Sequence, residues 1–273
     1  MSAPRIPPRW HPSPLLFASA GVHGGAVAAV LAQAQLWPWA LGALAANHVL
    51  LAGAGLSPRS RWLGSNWTRL PSAGAAGAAR VALTLDDGPD PEVTPRVLEM
   101  LAARGARATF FCIGERVAAH AALAREILAQ GHTIENHSQR HLHHFSLLGP
   151  RRLRAEIERA QETIGDATGS APRFFRAPAG LRSPLLDPLL QRLGLQLASW
   201  TRRGFDTVEH RPQRVLAALV RNLTAGDILL LHDGHAARTE AGTPVVLDVL
   251  PRLLGAFAAA GLSPVTLREA LGT

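Results

Sequence analysis

From residue 80 to the C terminus, short apolar runs alternate with longer amphipathic stretches, and that rhythm leaves few folds open. The runs 81–85, 108–113, 132–136, 174–176, 195–200, 227–231 and 262–265 read as strands. Between them, 92–104, 115–130, 151–168, 184–193, 212–223 and 245–260 carry the spacing of helices. Strands joined by helices of roughly ten to fifteen residues imply crossover connections and a parallel sheet. The expectation for 80–273 is an α/β domain, a distorted or incomplete (β/α) barrel of about seven βα units. An open doubly wound sheet is the alternative.

Upstream the chain changes character. Residues 15–36 and 37–56 contain no Asp, Glu, Lys or Arg, and each run has about the twenty residues that span a hydrocarbon core as a helix. Trp37-Pro38-Trp39 stands between them, a helix breaker flanked by indoles suited to a membrane interface. The expectation is a transmembrane helical hairpin over 15–56, after a basic tail (1–14) and before a linker (57–79) rich in Ala and Gly toward its end. Asn47 and His48 would then face the partner helix or a polar pocket. A cleaved signal peptide is disfavoured, because the apolar region is too long and doubles back. An apolar helical pair packed on a soluble domain is the remaining alternative.

Net charge is +8, and all 28 basic residues are arginine. They are scattered without a basic stripe or interleaved aromatics, which argues against a nucleic-acid partner and fits a protein lying beside anionic membrane lipid. Arg5 and Arg9 precede the hairpin and Arg59, Arg61 and Arg69 follow it, while its turn has none. By the positive-inside rule the downstream domain faces the cytoplasm from the inner membrane. The single cysteine, Cys112, permits no intrachain disulfide and reads as a buried, inert thiol.

Polar residues gather at the C-terminal ends of the expected strands, where (β/α) barrels place reacting groups. Asp86 and Asp87 close the first strand, Asn136, His137 and His141 follow the third, and Arg176 closes the fourth. Asp206 follows the fifth, and His232-Asp233 close the sixth. Two adjacent carboxylates gain nothing from burial alone, so a metal ion or an arginine is their natural compensation. A solvated turn at Gly88-Pro89 is the plainer account. His137 and His141, at i and i+4, would present both rings on one side of a helical turn and grip one ion. A chain with 12 histidines can also supply such a pair by chance. With Asp87 they would make a two-His-one-carboxylate site with open positions, for which Zn2+ is the default and Co2+, Mn2+ or Fe2+ are alternatives.

Thr84-Leu85-Asp86-Asp87-Gly88-Pro89 resembles T-F-D-D-G-P, the first motif of the NodB-homology polysaccharide deacetylases, carbohydrate esterase family 4, with Leu85 in place of Phe. His137-Ser138-Gln139-Arg140-His141 is similar to that family's H-[ST]-x-x-H, and Arg176-Ala177-Pro178-Ala179-Gly180 to its R-x-P-x-G. Leu231-His232 resembles the final L-x-H signature in position and context. The fourth motif, D-x-x-D-W, departs: the chain has Arg203-Gly204-Phe205-Asp206-Thr207 and keeps only Asp206. Ala179 stands where many members carry an aromatic residue. The resemblance covers residue 80 to the C terminus and leaves out the hairpin.

The resemblance implies a metal on Asp87, His137 and His141 that activates water and polarises an amide carbonyl. It implies Asp86 as general base, oriented and kept ionised by Arg176, and the backbone N–H of Ala179 beside the oxyanion. His232 would be the general acid toward the departing amine, held by Asp206, with Trp200 and Leu231 at the substrate. For Arg176 and Asp206 a plain ion pair at the barrel rim is the alternative, and Asp233 and His235 read as structural. The implied activity is removal of an N-acyl group, most often acetyl, from an amino sugar. A cytoplasmic domain would meet a lipid-linked sugar or an envelope glycolipid precursor; a periplasmic one would meet peptidoglycan or an exported polysaccharide. A non-catalytic glycan-binding barrel and hydrolysis of O-acetyl esters or cyclic amides are further readings.

Overall fold

The computed structural model describes residues 10–71 and 79–272. Helix α1 (Pro14–Ala32) begins at Ser13, whose hydroxyl accepts from the Leu16 N–H, and Pro14 occupies a position that needs no donor. After one 3-10 turn, α2 (Trp37–Leu56) runs back along it. Asn47 Nδ2 donates to Ser19 Oγ at 2.9 Å, and the His23 and His48 rings meet edge to face at 5.3 Å, so both residues do face the partner helix. The outer faces are bare: Leu31 is 82% exposed and Trp39 80%. Those outer faces do not pack on the α/β domain. Arg5 and Arg9 of the tail and residues 72–78 of the linker lie outside the described residues.

The domain runs β1 (Arg80–Asp86), α3 (Thr94–Ala102), β2 (Thr109–Cys112), α4 (Gly114–Ala119), α5 (Ala121–Ala129), β3 (Thr133–Asn136), α6 (Pro150–Thr168) and β4 (Phe174–Phe175). It continues with α7 (Leu186–Arg192), β5 (Gln196–Leu197), β6 (Arg202–Arg203), α8 (Pro212–Val220), β7 (Ile228–His232), α9 (Val245–Ala259), β8 (Ser263–Val265) and α10 (Leu267–Ala270). All pairings between these strands are parallel, in the order β5-β4-β3-β2-β1-β7-β6, with β8 joining the first residues of β1. The expected distorted (β/α) barrel is the observed fold. Three local features differ. The helix expected over 115–130 breaks at His120, the strand expected over 195–200 shortens to Gln196–Leu197, and β6 is additional. Arg202–Arg203 carries no apolar alternation by which a sequence could announce a strand.

Among the described residues β5 and β6 do not pair with each other, which leaves a seam in the barrel. The chain fills it with residues expected to be linker. Trp67 bridges Ala198 in parallel and Arg69 bridges Asp227 antiparallel. The Trp67 N–H donates to Leu197 O at 2.9 Å, and its carbonyl accepts from the Ser199 N–H at 2.8 Å. Leu63, Asn66 and Leu70 are buried. Thus 57–70 belongs to the domain, because the open strand edges offer its backbone the partners a free tether would lack.

Strand alternation sorts the core. Val81, Leu83 and Leu85 join the layer under the helices with Val97, Leu250 and Phe257. Ala82 faces the barrel interior with Phe111, Phe174 and Leu230. By the same period of two, Thr84 and Asp86 share the face of Ala82.

Candidate active site

Asp86 therefore ends β1 pointing inward, where Arg176, one residue past β4, meets it. The Arg176 Nη1 donates to Asp86 Oδ1 at 2.5 Å and to Thr84 Oγ1 at 2.8 Å. Its Nη2 donates to Ser199 O at 2.8 Å and its Nε to Ala198 O at 3.2 Å. The guanidinium is 1% exposed and lies 4.0 Å over the Phe111 ring. Burial lowers the Arg176 pKa while Asp86 works against that shift. A buried cation is tolerable here because a carboxylate and three neutral oxygens share it. The pair is buried in the barrel interior, away from the rim where a plain ion pair was the alternative.

Asp87 follows the strand at φ 71, a left-handed backbone uncommon outside glycine, which frees its carboxylate from the alternation that fixes Asp86. Both His137 Nε2 and His141 Nε2 approach Asp87 Oδ1 at 3.3 Å. The three ligand atoms lie within 4.8 Å of one another, yet Oδ1 is buried without a hydrogen-bond donor. A carboxylate oxygen and two imidazole nitrogens converging on one point are the donor set of a transition-metal ion. His137 Nδ1 lies 2.9 Å from the Arg176 carbonyl, so its proton belongs there and the Nε2 lone pair faces the cluster. The two histidines sit on a loop, where a helical turn was expected. Positive φ at Ser138 and His141, with the Ser138 hydroxyl accepting from the His141 N–H at 3.0 Å, brings the rings to 4.8 Å.

The electrostatics agree with a cation. Burial pushes the Asp87 carboxyl up, but the neighbouring imidazoles of His137, His235 and His141 hold it well below the usual range. Burial, with His137 adding, takes His141 down to about 4, so it is neutral and free to ligate. Burial also lowers His137, but Asp86 and Asp87 outweigh it and the net shift is upward. A proton on His137 and a divalent ion at its Nε2 answer the same concentration of negative charge.

Across the cavity, β7 carries Ile228, Leu230 and His232 on its inward register. The His232 N–H donates to Asp206 Oδ2 at 2.7 Å, and its Nδ1 donates to Oδ1 at 2.9 Å. Burial lowers the imidazole pKa, but the charge and hydrogen bond of fully buried Asp206, helped by Asp86 and Asp87, push it up to about 9. At neutral pH His232 is an imidazolium with a proton to give.

Asp86, Asp87, His137, His141, Ala179, Trp200 and His232 line one cavity of about 150 Å3, with Arg176 and Asp206 behind its acidic and basic groups. Ala179 (φ 53) and Gly180 (φ 73) turn the loop sharply here. A Cβ at Gly180 would come within 2.6 Å of Trp200 and 2.7 Å of Pro58, so only glycine fits. Leu231 is a correction: it packs in the helix-side layer, and Leu230 lines the cavity instead. The period of two separates them, and counting back two residues from His232 would have found it. Arg203 and Thr207 also line the cavity, both inside the motif that departs from the family pattern. His235, read as structural, has Nδ1 3.3 Å from Asp87 Oδ2 and Nε2 2.9 Å from Arg116 Nη2. Asp233 fits its structural reading, since it is buried and accepts from Thr94 Oγ1. Cys112 is buried, and burial raises its thiol well above the ordinary value.

The hairpin's foot is stitched to the rim of this cavity. Arg182 N–H donates to Gly55 O at 3.1 Å, Arg182 Nη2 to Ser60 O at 2.5 Å, and Ser199 Oγ to Pro58 O at 2.7 Å.

Known proteins carry the same domain. The family model described as polysaccharide deacetylase matches residues 73–198. A peptidoglycan-N-acetylglucosamine deacetylase of Bacillus cereus is 34% identical over 175 residues, covering 63% of this chain and 81% of that protein. A chitooligosaccharide deacetylase of Bradyrhizobium is 34% identical over 161 residues, 59% of this chain and 73% of that protein. Among solved structures, the family 4 carbohydrate esterase from Streptomyces lividans in complex with acetate superposes with a TM-score of 0.61 at 31% identity, covering 68% of this chain and 91% of that one. The chain belongs to the polysaccharide deacetylase family, carbohydrate esterase family 4, and is a hydrolase of carbon–nitrogen bonds.

Proposed function

We propose that this protein removes the N-acetyl group from an amino sugar presented at the membrane surface. The observation that carries the reading is the separation of two adjacent carboxylates into different environments: Asp86 on Arg176, and Asp87 among imidazoles, with the His232 imidazolium in the same cavity. Binding a glycan needs neither a held base nor a held acid.

Asp87, His137 and His141 would hold a divalent cation, Zn2+ by donor set, with Co2+ or Mn2+ as alternatives. Such an ion supplies Lewis acidity toward the amide carbonyl and a more acidic water. Asp86, fixed by Arg176, takes the proton from the attacking water. The Ala179 N–H donates to the carbonyl oxygen as it gains charge. His232 gives its proton to the departing nitrogen, which could not leave as an amide anion, and Asp206 keeps that proton available. Trp200 and Leu230 wall the site. Water and the amide become acetate and a free amine.

Two features support a membrane-borne substrate. The exposed apolar hairpin is long enough to cross a bilayer, and its foot is bonded to the cavity rim. The arginine distribution favours the cytoplasmic side, and with it a lipid-linked sugar or an envelope glycolipid precursor.

Acetate release should be followed with full-length protein in nanodiscs, offered an N-acetylated chitooligosaccharide and a farnesyl-phosphate-linked N-acetylglucosamine. Chelation should abolish release, and Asp86→Asn should cut kcat by about 100-fold or more while metal content stays at one ion per chain. Metal-loaded protein that releases no acetate from either substrate, or an Asp86→Asn variant with full turnover, would refute the hydrolase reading.

A further inference from the structure

Beside the catalytic cavity lies a larger groove of about 760 Å3, and Trp200 and Arg203 form part of both walls. Four arginines line this groove: Arg59, Arg202, Arg203 and Arg221. Arg202 is committed, pairing with Asp227 and donating to the carbonyls of Arg221 and Asn222. The other three have no carboxylate partner among the described residues. Arg59 makes a single long hydrogen bond, 3.3 Å to Thr201 O, and is exposed, as is Arg221. Arg203 is half-buried with its Nε lacking any acceptor, and its guanidinium lies 5.5 Å from the Trp200 ring and 5.1 Å from the Phe205 ring.

Three uncompensated guanidinium groups around one concave surface repel each other until an anion enters. Their forked donors match phosphate oxygens, and aromatic faces hold the Arg203 fork in place. The groove also borders exposed apolar surface: Phe205 is 54% exposed, and Pro58 and Arg59 follow directly on the hairpin. Charge that attracts an anion, next to apolar surface at a hairpin foot, fits an amphiphile better than a neutral glycan chain. Arg203 adds chemical direction. It replaces the acidic residue that opens the family's fourth motif, so a position that would repel a phosphate now attracts one.

Resting on the deacetylase reading for the neighbouring cavity, we propose that this groove binds the phosphate group of a lipid-anchored amino-sugar phosphate. Arg203, on the wall between the two spaces, selects that substrate. The acyl-bearing sugar reaches the catalytic cavity, the phosphate lies among Arg59, Arg203 and Arg221, and the lipid chain leaves along the hairpin foot.

The test uses full-length protein in nanodiscs. Binding of farnesyl-phosphate-linked N-acetylglucosamine is measured in an Asp86→Asn background, with and without Arg59→Gln, Arg203→Gln and Arg221→Gln together. Turnover is measured with Asp86 intact, as the ratio of kcat/KM for that compound over a neutral N-acetylated chitooligosaccharide. Loss of three charge-assisted contacts should weaken binding at least ten-fold and lower the ratio at least ten-fold, mainly through KM. Arg203→Gln alone should lower the ratio measurably, and Arg203→Lys should restore part of it. Unchanged binding and an unchanged ratio, in protein whose melting temperature matches the parent, would overturn the groove while leaving the deacetylase intact. Ten-fold weaker binding with no acetate release from either compound would uphold the groove and remove the deacetylase. N-acetylglucosamine 1-phosphate binding as tightly as its farnesyl conjugate would overturn the lipid-anchored source.

Discussion

Adjacent residues can have opposite chemical fates when the backbone between them changes. Asp86 obeys the strand's alternation and meets a buried guanidinium, whereas Asp87, at φ 71, turns among imidazoles. The same cavity holds His232, raised to about 9 because the charge and hydrogen bond of Asp206 overcome the burial that would lower it. A raised histidine pKa means the acid form is fully present below the ordinary value of 6.5 and is lost as pH rises through about 9. Activity should therefore have an alkaline limb near pH 9. In Asp206→Asn that limb should shift at least one pH unit downward, in a kcat/KM profile, as the imidazole loses its anionic neighbour. A limb that stays in place would assign it to another group.

At the scale of elements, the unexpected part is the segment 67–69 in the seam between β5 and β6. Trp67 packs edge-on against Phe174, with ring centres 5.2 Å apart, and exchanges backbone hydrogen bonds with Leu197 and Ser199. The carbonyls of Ala198 and Ser199 in turn hold Arg176, which holds Asp86. On the proposed mechanism, stability and catalysis would be coupled through one strand edge. Trp67→Ala should cost about 3 kcal/mol in chemical denaturation, from lost packing and a cavity. It should also lower kcat, since the Arg176 acceptors lose their lateral support. A stability loss with unaltered kcat would mean that Asp86 is held without the seam. The loops after β3 and β4 matter as much as the strands, because positive φ at Ser138, His141 and Ala179 aims groups no regular element would bring together.

For the whole molecule, the proposed membrane anchor raises the question of where the cavity would sit relative to a bilayer. The bonds from Gly55, Pro58 and Ser60 to the cavity rim fix the hairpin's foot beside the mouth, so the apolar helices and the reacting groups form one assembly. The arginine asymmetry predicts a cytoplasmic C terminus. A fluorescent protein that matures only in the cytoplasm, fused after Thr273, should be bright in cells. A dark fusion, with a periplasmic alkaline phosphatase fusion active at the same site, would move the substrate pool to the outer face of the membrane.

Much of this was legible before any coordinates. Strand-helix alternation fixed a parallel sheet, because helical crossovers permit little else, with a distorted barrel preferred to an open sheet, and polar residues at strand ends marked the face of the candidate site. Asp86, Asp87, His137, His141, Arg176, Asp206 and His232 were all visible as chemistry in need of partners, and they came together. Some features were not legible. The seam-filling role of 57–70 depends on which strand edges remain unpaired, a property of closure that no local pattern carries. The exchange of Leu231 for Leu230 hangs on a one-residue register that flips the face of a side chain. Arg203 showed in the sequence only as a departure from a motif; the tertiary structure made it a wall shared by two cavities, since juxtaposition across the barrel comes from packing. Sequence alone determined which groups had to find partners, because charge and period are local properties, and only the folded chain decided which partners they found.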